Sequence, residues 1–360
     1  MISKELLTLH GSELNDHLKH LCAVEFANDI GELIDFLKIK MPGKIPSEKV
    51  IQNEIKNIFS EKYDIVSLND NKYPKLLKQT NIAPVMLSIK GNIDFLQNSS
   101  IAVVGSRKLD SEDFVVIREI VNAVNDLDIG IISGLAYGTD IVAQIQSLKT
   151  GTISVLPCGF KYCYPSEHKK IVDKIIDFGG TVISEFFFSE PPRKMNFVKR
   201  NAVLVGIAES IIVARARSIK CGSMISANYA HKLGKTIYTL MFNGESVGNK
   251  FLLEERQAVR ITSFEKMKYS ILCDIAKNEN MLDNSFKDKV VENIDTSLFE
   301  SEDIYVKGNI ESKIENILNY LNVKISISKI PYIFDICCKR INPSSDDRKK
   351  ILIILLEKVL

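Results

Sequence analysis

Between Ile101 and Leu240 one unit recurs: a short apolar run, a turn containing glycine, then a helical stretch. Alternation of this kind leaves the chain few options. Runs such as Ile101-Ala-Val-Val and Ser210-Ile-Ile-Val are apolar throughout, as strands covered on both faces must be, and parallel strands need helical crossovers between them. The pattern predicts strands at 101–104, 129–133, 152–156, 181–184, 210–214 and 235–241. Helices are predicted over about 111–127, 139–149, 166–178, 196–208 and 223–233. Gly151, the Gly179-Gly180 pair and Gly234 each follow a helical stretch, where a left-handed C-cap favours glycine. The expected fold class is α/β, a doubly wound and mostly parallel sheet with small helical N-terminal and C-terminal additions.

The flanks carry less information. Residues 1–60 hold amphipathic patterns over Lys4–Leu9, Asn15–Leu37 and Ser47–Phe59 and read as a helical domain. A linking segment, Tyr63 to Pro74, leads to Ala83-Pro-Val-Met-Leu-Ser-Ile-Lys-Gly91, which alternates like a strand and is expected on the edge of the main sheet. The main domain is drawn as 61–265. From 266 to 309 the acid- and asparagine-rich stretch shows little apolar periodicity and reads as a linker. A last domain, 310–360, is expected to hold three short helices, at Ile310–Leu321, Ile325–Ile336 and Arg348–Leu360, an arrangement compatible with a winged-helix-like module. The six apolar residues 351–356 are read as part of its own small core.

The 360 residues are 45% hydrophobic, which suits a chain with a substantial core, and the formal net charge is only +2. A polyanion would therefore have to be attracted by local clustering of charge. No apolar run reaches the roughly 18 residues needed to cross a bilayer, and the first ten residues lack the apolar stretch of a signal peptide, so a cytoplasmic protein without a membrane partner is expected. The seven cysteines include no Cys-x-x-Cys pair and no histidine at ligand spacing. They are read as reduced, mostly buried thiols, with no metal and no cofactor.

The chemistry is carried by turns. Gly105-Ser106-Arg107 follows the first core strand, and Ser133-Gly134-Leu-Ala-Tyr-Gly138-Thr-Asp140 follows the second. Both put glycine where a strand turns into a helix, so that backbone N–H groups at the helix start can face an anion. A dinucleotide fingerprint would need Gly-x-Gly-x-x-Gly and an acidic residue about 20 positions on; here one glycine is followed by an arginine, whose planar fork suits phosphate oxygens. Asp140 is read as a helix N-cap. Between Arg193 and Lys220 seven cations (Arg193, Lys194, Lys199, Arg200, Arg215, Arg217 and Lys220) face Glu209 alone, a local excess of +6. Together with the two turns this cluster points to a phosphate backbone, bound with strong salt dependence.

Catalytic sets find little support. His168, in Tyr164-Pro-Ser-Glu-His168, is read as structural with Ser166 as a helix cap. Glu185 has no nucleophile tied to it by spacing, and the chain lacks a Gly-x-x-x-x-Gly-Lys-Ser/Thr phosphate loop. A binding protein and not an enzyme is expected. Tyr137, Phe160 and Tyr162 fall in loops at the same edge and are read as local packing.

The succession Val103-Val-Gly-Ser-Arg107, Ser133 to Asp140, Tyr164-Pro165, Ser184-Glu185, Asn196-Phe-Val-Lys-Arg-Asn201 and Gly222-Ser-Met-Ile-Ser-Ala227, with Tyr73-Pro74 before and Gly248-Asn249 after, resembles the DNA processing protein A family, also called Smf. The resemblance implies a Rossmann-like domain that binds single-stranded DNA, dimerises, and helps load the RecA recombinase in natural transformation. Carried over by motif, the pocket would use Gly105, Ser106 and Arg107 with Lys199, Arg200 and Asn201, and Gly134, Gly222 and Ser223 would form the neighbouring turns.

The chain departs from the family pattern at three places. Ala202 stands where relatives have a second arginine after the Arg-Asn pair, Gly138-Thr-Asp140 replaces Gly-Ile-Asp, and Ala214-Arg-Ala-Arg217 stands where an acidic residue is expected. Two alternatives stay open. One is a related nucleoside-monophosphate hydrolase, whose Gly-Gly-x-Gly-Thr loop should fall near 221, where this chain has Cys221-Gly-Ser-Met. The other is a sensor that holds a nucleotide without cleaving it.

Overall fold

The computed structural model describes residues 3–242, 246–284, 309–321 and 329–359. Along the chain, helices α1 (Lys4–Gly11), α2 (Asp16–Glu25), α3 (Ile30–Lys40) and α4 (Glu48–Ser60) precede β1 (Asp64–Ser67), the short α5 (Lys75–Lys78) and β2 (Met86–Gly91). The alternating core follows: β3 (Ser100–Val104), α6 (Ser111–Asn125), β4 (Gly130–Ser133), α7 (Thr139–Gln146), β5 (Thr152–Val155), α8 (Lys169–Asp177), β6 (Thr181–Ser184), α9 (Lys194–Ile207), β7 (Ile211–Val213), α10 (Gly222–Lys232) and β8 (Ile237–Thr239). It closes with α11 (Val247–Glu255), the two-residue β9 (Val259–Arg260) and α12 (Phe264–Asn284), and the C-terminal segment holds α13 (Ile310–Leu321), α14 (Ile330–Ile341) and α15 (Ser345–Glu357).

The sheet order is β1-β2-β6-β5-β4-β3-β7-β8-β9. From β6 to β9 all pairs are parallel, while β1 and β2 join the β6 edge antiparallel. Each core strand predicted from the apolar runs is present, and the strand ending at Gly91 lies toward the edge as expected. The linking segment after Tyr63 also contributes a strand, β1, which pairs β2. The chain runs outward from β3 through β4 and β5 to β6, then returns through α9 to place β7 on the other side of β3. That reversal puts the topological switch point between β3 and β7, where open parallel sheets bind their ligands outside the carboxyl ends of the strands.

Burial explains the order. All five residues of β3 and all four of β4, β5 and β6 are buried, as parallel strands between two helical layers require. On one face Ile117, Ile120, Val121 and Val124 of α6 pack with Ile101, Ile131 and Ile212. The same cluster takes in Met267 and Ile271, with Ile275 packed against it. Those three recur four residues apart along α12, so residues 264–284, placed largely in the linker by their polar composition, form a helix with one apolar stripe. The remainder of that linker, 285–308, lies outside the described residues. Among the described residues no helix is long and apolar enough to cross a membrane.

Contacts group residues 52–283 into one compact unit and residues 1–51 with 284–360 into another. In the second unit helices from the two ends of the sequence share a core: α2 packs against α14 and α15, with Leu18 and Cys22 among its buried residues and Ile333, Phe334, Ile351 and Leu355 among those of the C-terminal helices. The Arg348 guanidinium lies over the Phe334 ring at 5.1 Å and forks the Glu25 carboxylate, and Lys349 pairs with Asp29. The second helix of the C-terminal segment begins at Ile330, where proline at the next position suits a first turn, and not at 325; residues 325–328 lie outside the described residues. All seven cysteines are free thiols, but only Cys22, Cys158 and Cys337 are buried, and Cys273 is exposed.

Candidate functional site

The loops after β3, β4, β5 and β7 lie at the carboxyl edge of the sheet, and close approach between them is secured by small residues. Gly105 ends β3 so close to α7 that a β-carbon there would come 2.4 Å from the Thr139 hydroxyl. Gly138 has φ of +76°, and a β-carbon on it would meet the Ser106 carbonyl at 2.2 Å. The two turns are joined by that same carbonyl, which accepts hydrogen bonds from the Thr139 N–H (3.0 Å) and the Thr139 hydroxyl (3.2 Å). The Ser106 hydroxyl closes its own turn, donating to the Lys108 carbonyl and accepting from the Lys108 N–H. Arg107 is thus carried exposed at the tip of a clamped loop, its guanidinium 5.9 Å from the Phe197 ring centroid.

Arg200 is placed differently. Its side chain lies beneath the turn after β4, 4% exposed, with Nη1 3.7 Å from Asp140 Oδ2 and 3.5 Å from the Val155 carbonyl. The carboxylate of Asp140 accepts from the Gly134 N–H (3.2 Å) and also from Ala136. Asp140 therefore sits inside the first turn of α7 and holds the preceding loop, while the N-cap position read for it belongs to Gly138. Burial pushes the Asp140 carboxyl above the usual carboxylate range against the pull of Arg200. Burial also lowers the Arg200 guanidinium, with Asp140 opposing and Arg107 adding to the effect. Arg107 is near enough to act electrostatically on both.

The remaining residues singled out from sequence fall around this pair. Lys199 is half-buried and makes an interaction of its own. Asn201 Nδ2 donates to the Gly222 carbonyl at 3.4 Å, tying α9 to the first turn of α10, where the Ser223 hydroxyl lies 3.1 Å from the Cys221 thiol. A β-carbon at Gly222 would meet open space. The structure brings Gly105, Ser106, Arg107, Gly134 and Arg200 together, and joins Asn201 to Gly222 and Ser223 a strand away.

The basic cluster is partly spent inside the protein. Arg215 is 2% exposed; its guanidinium lies 4.2 Å from the Phe242 ring centroid, pairs through Nε with Asp113, and reaches Glu112 at 3.4 Å and Asp110 at 3.8 Å. Arg217 reaches Asp113 at 3.0 Å and Asp110 at 3.3 Å. Asp110 and Asp113 also cap α6 reciprocally. The loops after β3 and β7 are bridged by these pairs at the switch point, and the acid missing after β7 is supplied by the start of α6. Asn249 fixes the second loop, its amide oxygen accepting from the Ala216 N–H and its amide nitrogen donating to the Ala214 carbonyl and the Thr239 hydroxyl.

Several residues at this edge were not placed in the site by sequence reasoning. His168 is structural as expected, but through its ring: Nδ1 lies 2.7 Å from the Leu135 carbonyl, with Leu135 itself at φ of +58°. Ser166 bonds Glu167 and caps nothing. Phe160 packs locally against Tyr63. Tyr137, Tyr162 and Tyr164, by contrast, stand exposed. The sequence reading places Tyr137 and Tyr162 at this edge but assigns them to local packing, and brings in Tyr164 through the resemblance alone.

The family model for DNA recombination-mediator protein A matches residues 64–271. The DNA processing protein DprA of Streptococcus pneumoniae is 30% identical over 233 residues, covering 63% of this chain and 81% of the relative. Its X-ray structure superposes with a TM-score of 0.61 at 27% identity, over 73% of this chain and 96% of that one. DNA processing protein A from Helicobacter pylori, solved to describe its single-stranded DNA binding mode, superposes with a TM-score of 0.55 at 28% identity, over 59% of this chain and 97% of that one.

Proposed function

The chain belongs to the DNA recombination-mediator protein A family, and on that premise we propose that it binds single-stranded DNA at the carboxyl edge of its parallel sheet. The observation that carries this is Arg107, an exposed guanidinium on a loop held rigid by Gly138 and Thr139. A preorganised donor fork loses little freedom on meeting a phosphate. Lys199 and the turns at Gly105-Ser106 and Gly222-Ser223 complete the phosphate-facing set, with Gly134, Arg200 and Asn201 supporting it from below. Phosphate contacts position a strand without reading its sequence, which suits a protein that must accept any incoming DNA.

The proposed role is binding without turnover. The bound strand is protected and passed to the RecA recombinase during recombination and natural transformation, in the cytoplasm, by a homodimer. Support for these finer points comes from family membership, and sedimentation of the full chain alone, with oligonucleotide, and with purified recombinase tests the two partners.

The deciding experiment is fluorescence anisotropy with a labelled oligonucleotide, single-stranded and as duplex, over a salt series, for the native chain and Arg107→Ala. The expected result is preference for the single strand, an affinity that falls with a log–log slope of about 0.7 per phosphate contacted, and weakening in the variant. Absence of binding, or binding indifferent to Arg107, would transfer the site to a nucleotide ligand, for which a nucleoside monophosphate is the probe.

A further inference from the structure

The carboxyl edge of the sheet is electrostatically and chemically lopsided about Arg107. On the β7 side the arginines are committed: Arg215 and Arg217 face Asp110, Glu112 and Asp113, and the exposed acids among these repel a phosphate chain. Toward β4 and β5 the loops instead present aromatic rings and unburied lysines. Tyr137, in the loop after β4, is 44% exposed; Tyr162 and Tyr164, in the loop after β5, are 36% and 40% exposed.

None of these rings is loose. Tyr137 stands edge-on to the His168 ring at 4.9 Å, and its hydroxyl donates to the Glu167 carboxylate. Tyr164 stands edge-on to Phe197 at 5.1 Å, and Phe197 is the ring over which the Arg107 guanidinium lies. Tyr162 lies under the Lys161 ammonium at 5.9 Å. Lys161, Lys169 and Lys170 are exposed around them, with Glu167 and Asp173 as neighbouring acids.

Rings held on one side and bare on the other are what base stacking needs. Stacking tolerates any sequence because every base has a π-face, and it works best beside a positively charged groove. Fixed rings also lose little entropy on binding. Resting on the single-strand reading above, we propose that the strand leaves Arg107 toward β5 and stacks its bases on Tyr164, Tyr137 and Tyr162. The exposed acids Asp110 and Glu112 disfavour a course past Arg215 and Arg217. The tyrosines thereby form a base-contacting subsite distinct from the phosphate contacts of the Arg107 loop.

The test uses the full chain and labelled oligothymidylates of about ten nucleotides, within the span of known single-strand sites. A matched strand of the same length and charge has its bases removed at consecutive positions. Each of Tyr137→Ala, Tyr162→Ala and Tyr164→Ala should weaken the intact strand by about 5-fold to 100-fold, bind the abasic strand as the native chain does, and leave the salt slope unchanged. The corresponding phenylalanine variants, which keep the ring, should bind normally, and thermal unfolding confirms that the alanine variants fold. Alanine variants that bind both strands like the native chain, or that lose both equally, would overturn the subsite. A native chain that binds neither strand would overturn the single-strand reading itself.

Discussion

Arg200 fills the space that any side chain at position 134 would need: a β-carbon on Gly134 would lie 0.9 Å from the Arg200 Nη1. Glycine at the end of β4 is thus explained by the guanidinium packed against it, which in turn faces Asp140. Gly134→Ala should push Arg200 away from Asp140 and destabilise the fold by about 1–3 kcal/mol, the usual cost of overpacking. Urea unfolding checks this as a lower midpoint at unchanged slope; an unchanged midpoint would mean that Arg200 relocates freely.

Arg107 and Arg200 are both arginines at the sheet edge, yet they should fail in different ways. Arg107→Ala, at an exposed loop tip, should change stability by no more than about 0.5 kcal/mol while weakening DNA binding and lowering the salt slope by about 0.7. Arg200→Ala strands a buried carboxylate and should cost about 3–5 kcal/mol. Unfolding curves and binding isotherms recorded on the same preparations separate the two, and an Arg200→Ala protein as stable as the native chain would refute the burial argument.

A similar contrast holds across the switch point. Arg215 is buried against the fully buried Asp113, whereas Arg217, 36% exposed, shares the same carboxylate from the solvent side. Arg215→Ala should cost about 3–5 kcal/mol because the carboxylate of Asp113 loses its inner partner. Arg217→Ala should cost about 0–1 kcal/mol. Equal midpoints for the two variants would show that Arg217 can replace Arg215.

The sheet was legible because burial on both faces forces continuous apolar runs, and those runs locate β3 through β8 within a residue or two. Helix α12 was not, since its single apolar stripe of Met267, Ile271 and Ile275 is hidden among charged and amide residues. The union of the chain ends was also invisible, because periodicity marks the faces of α2, α14 and α15 without saying what covers them. At the site the glycine turns and Arg107 could be read directly. The fate of the basic cluster could not: Arg215 and Arg217 looked like free cations until folding brought Asp110 and Asp113, about a hundred residues away in sequence, beside them. Asp140 was misplaced as an N-cap for the same reason, its partner lying on a helix two crossovers later.

Lys235 offers a test of burial through pH. Its ammonium donates to the carbonyls of Gly206, at 2.8 Å, and Ala208, closing the end of α9. Burial brings it down to about 7, with Glu209 pulling the other way. In the unfolded chain a lysine titrates near 10.4. Between those values the unfolded state carries a proton that the folded state lacks, so this residue makes stability rise with pH. The buried thiols Cys22, Cys158 and Cys337, pushed up to about 12 by burial, act in the opposite sense above about pH 8.5, but they are common to the native chain and to Lys235→Met and cancel in the comparison. The native chain should therefore gain stability relative to Lys235→Met as pH rises from about 7 to 9, by up to about 1.4 kcal/mol per pH unit, measured by urea unfolding across the series. A difference that stays flat with pH would mean that Lys235 keeps its proton in the fold and that its two carbonyl partners outweigh the loss of water.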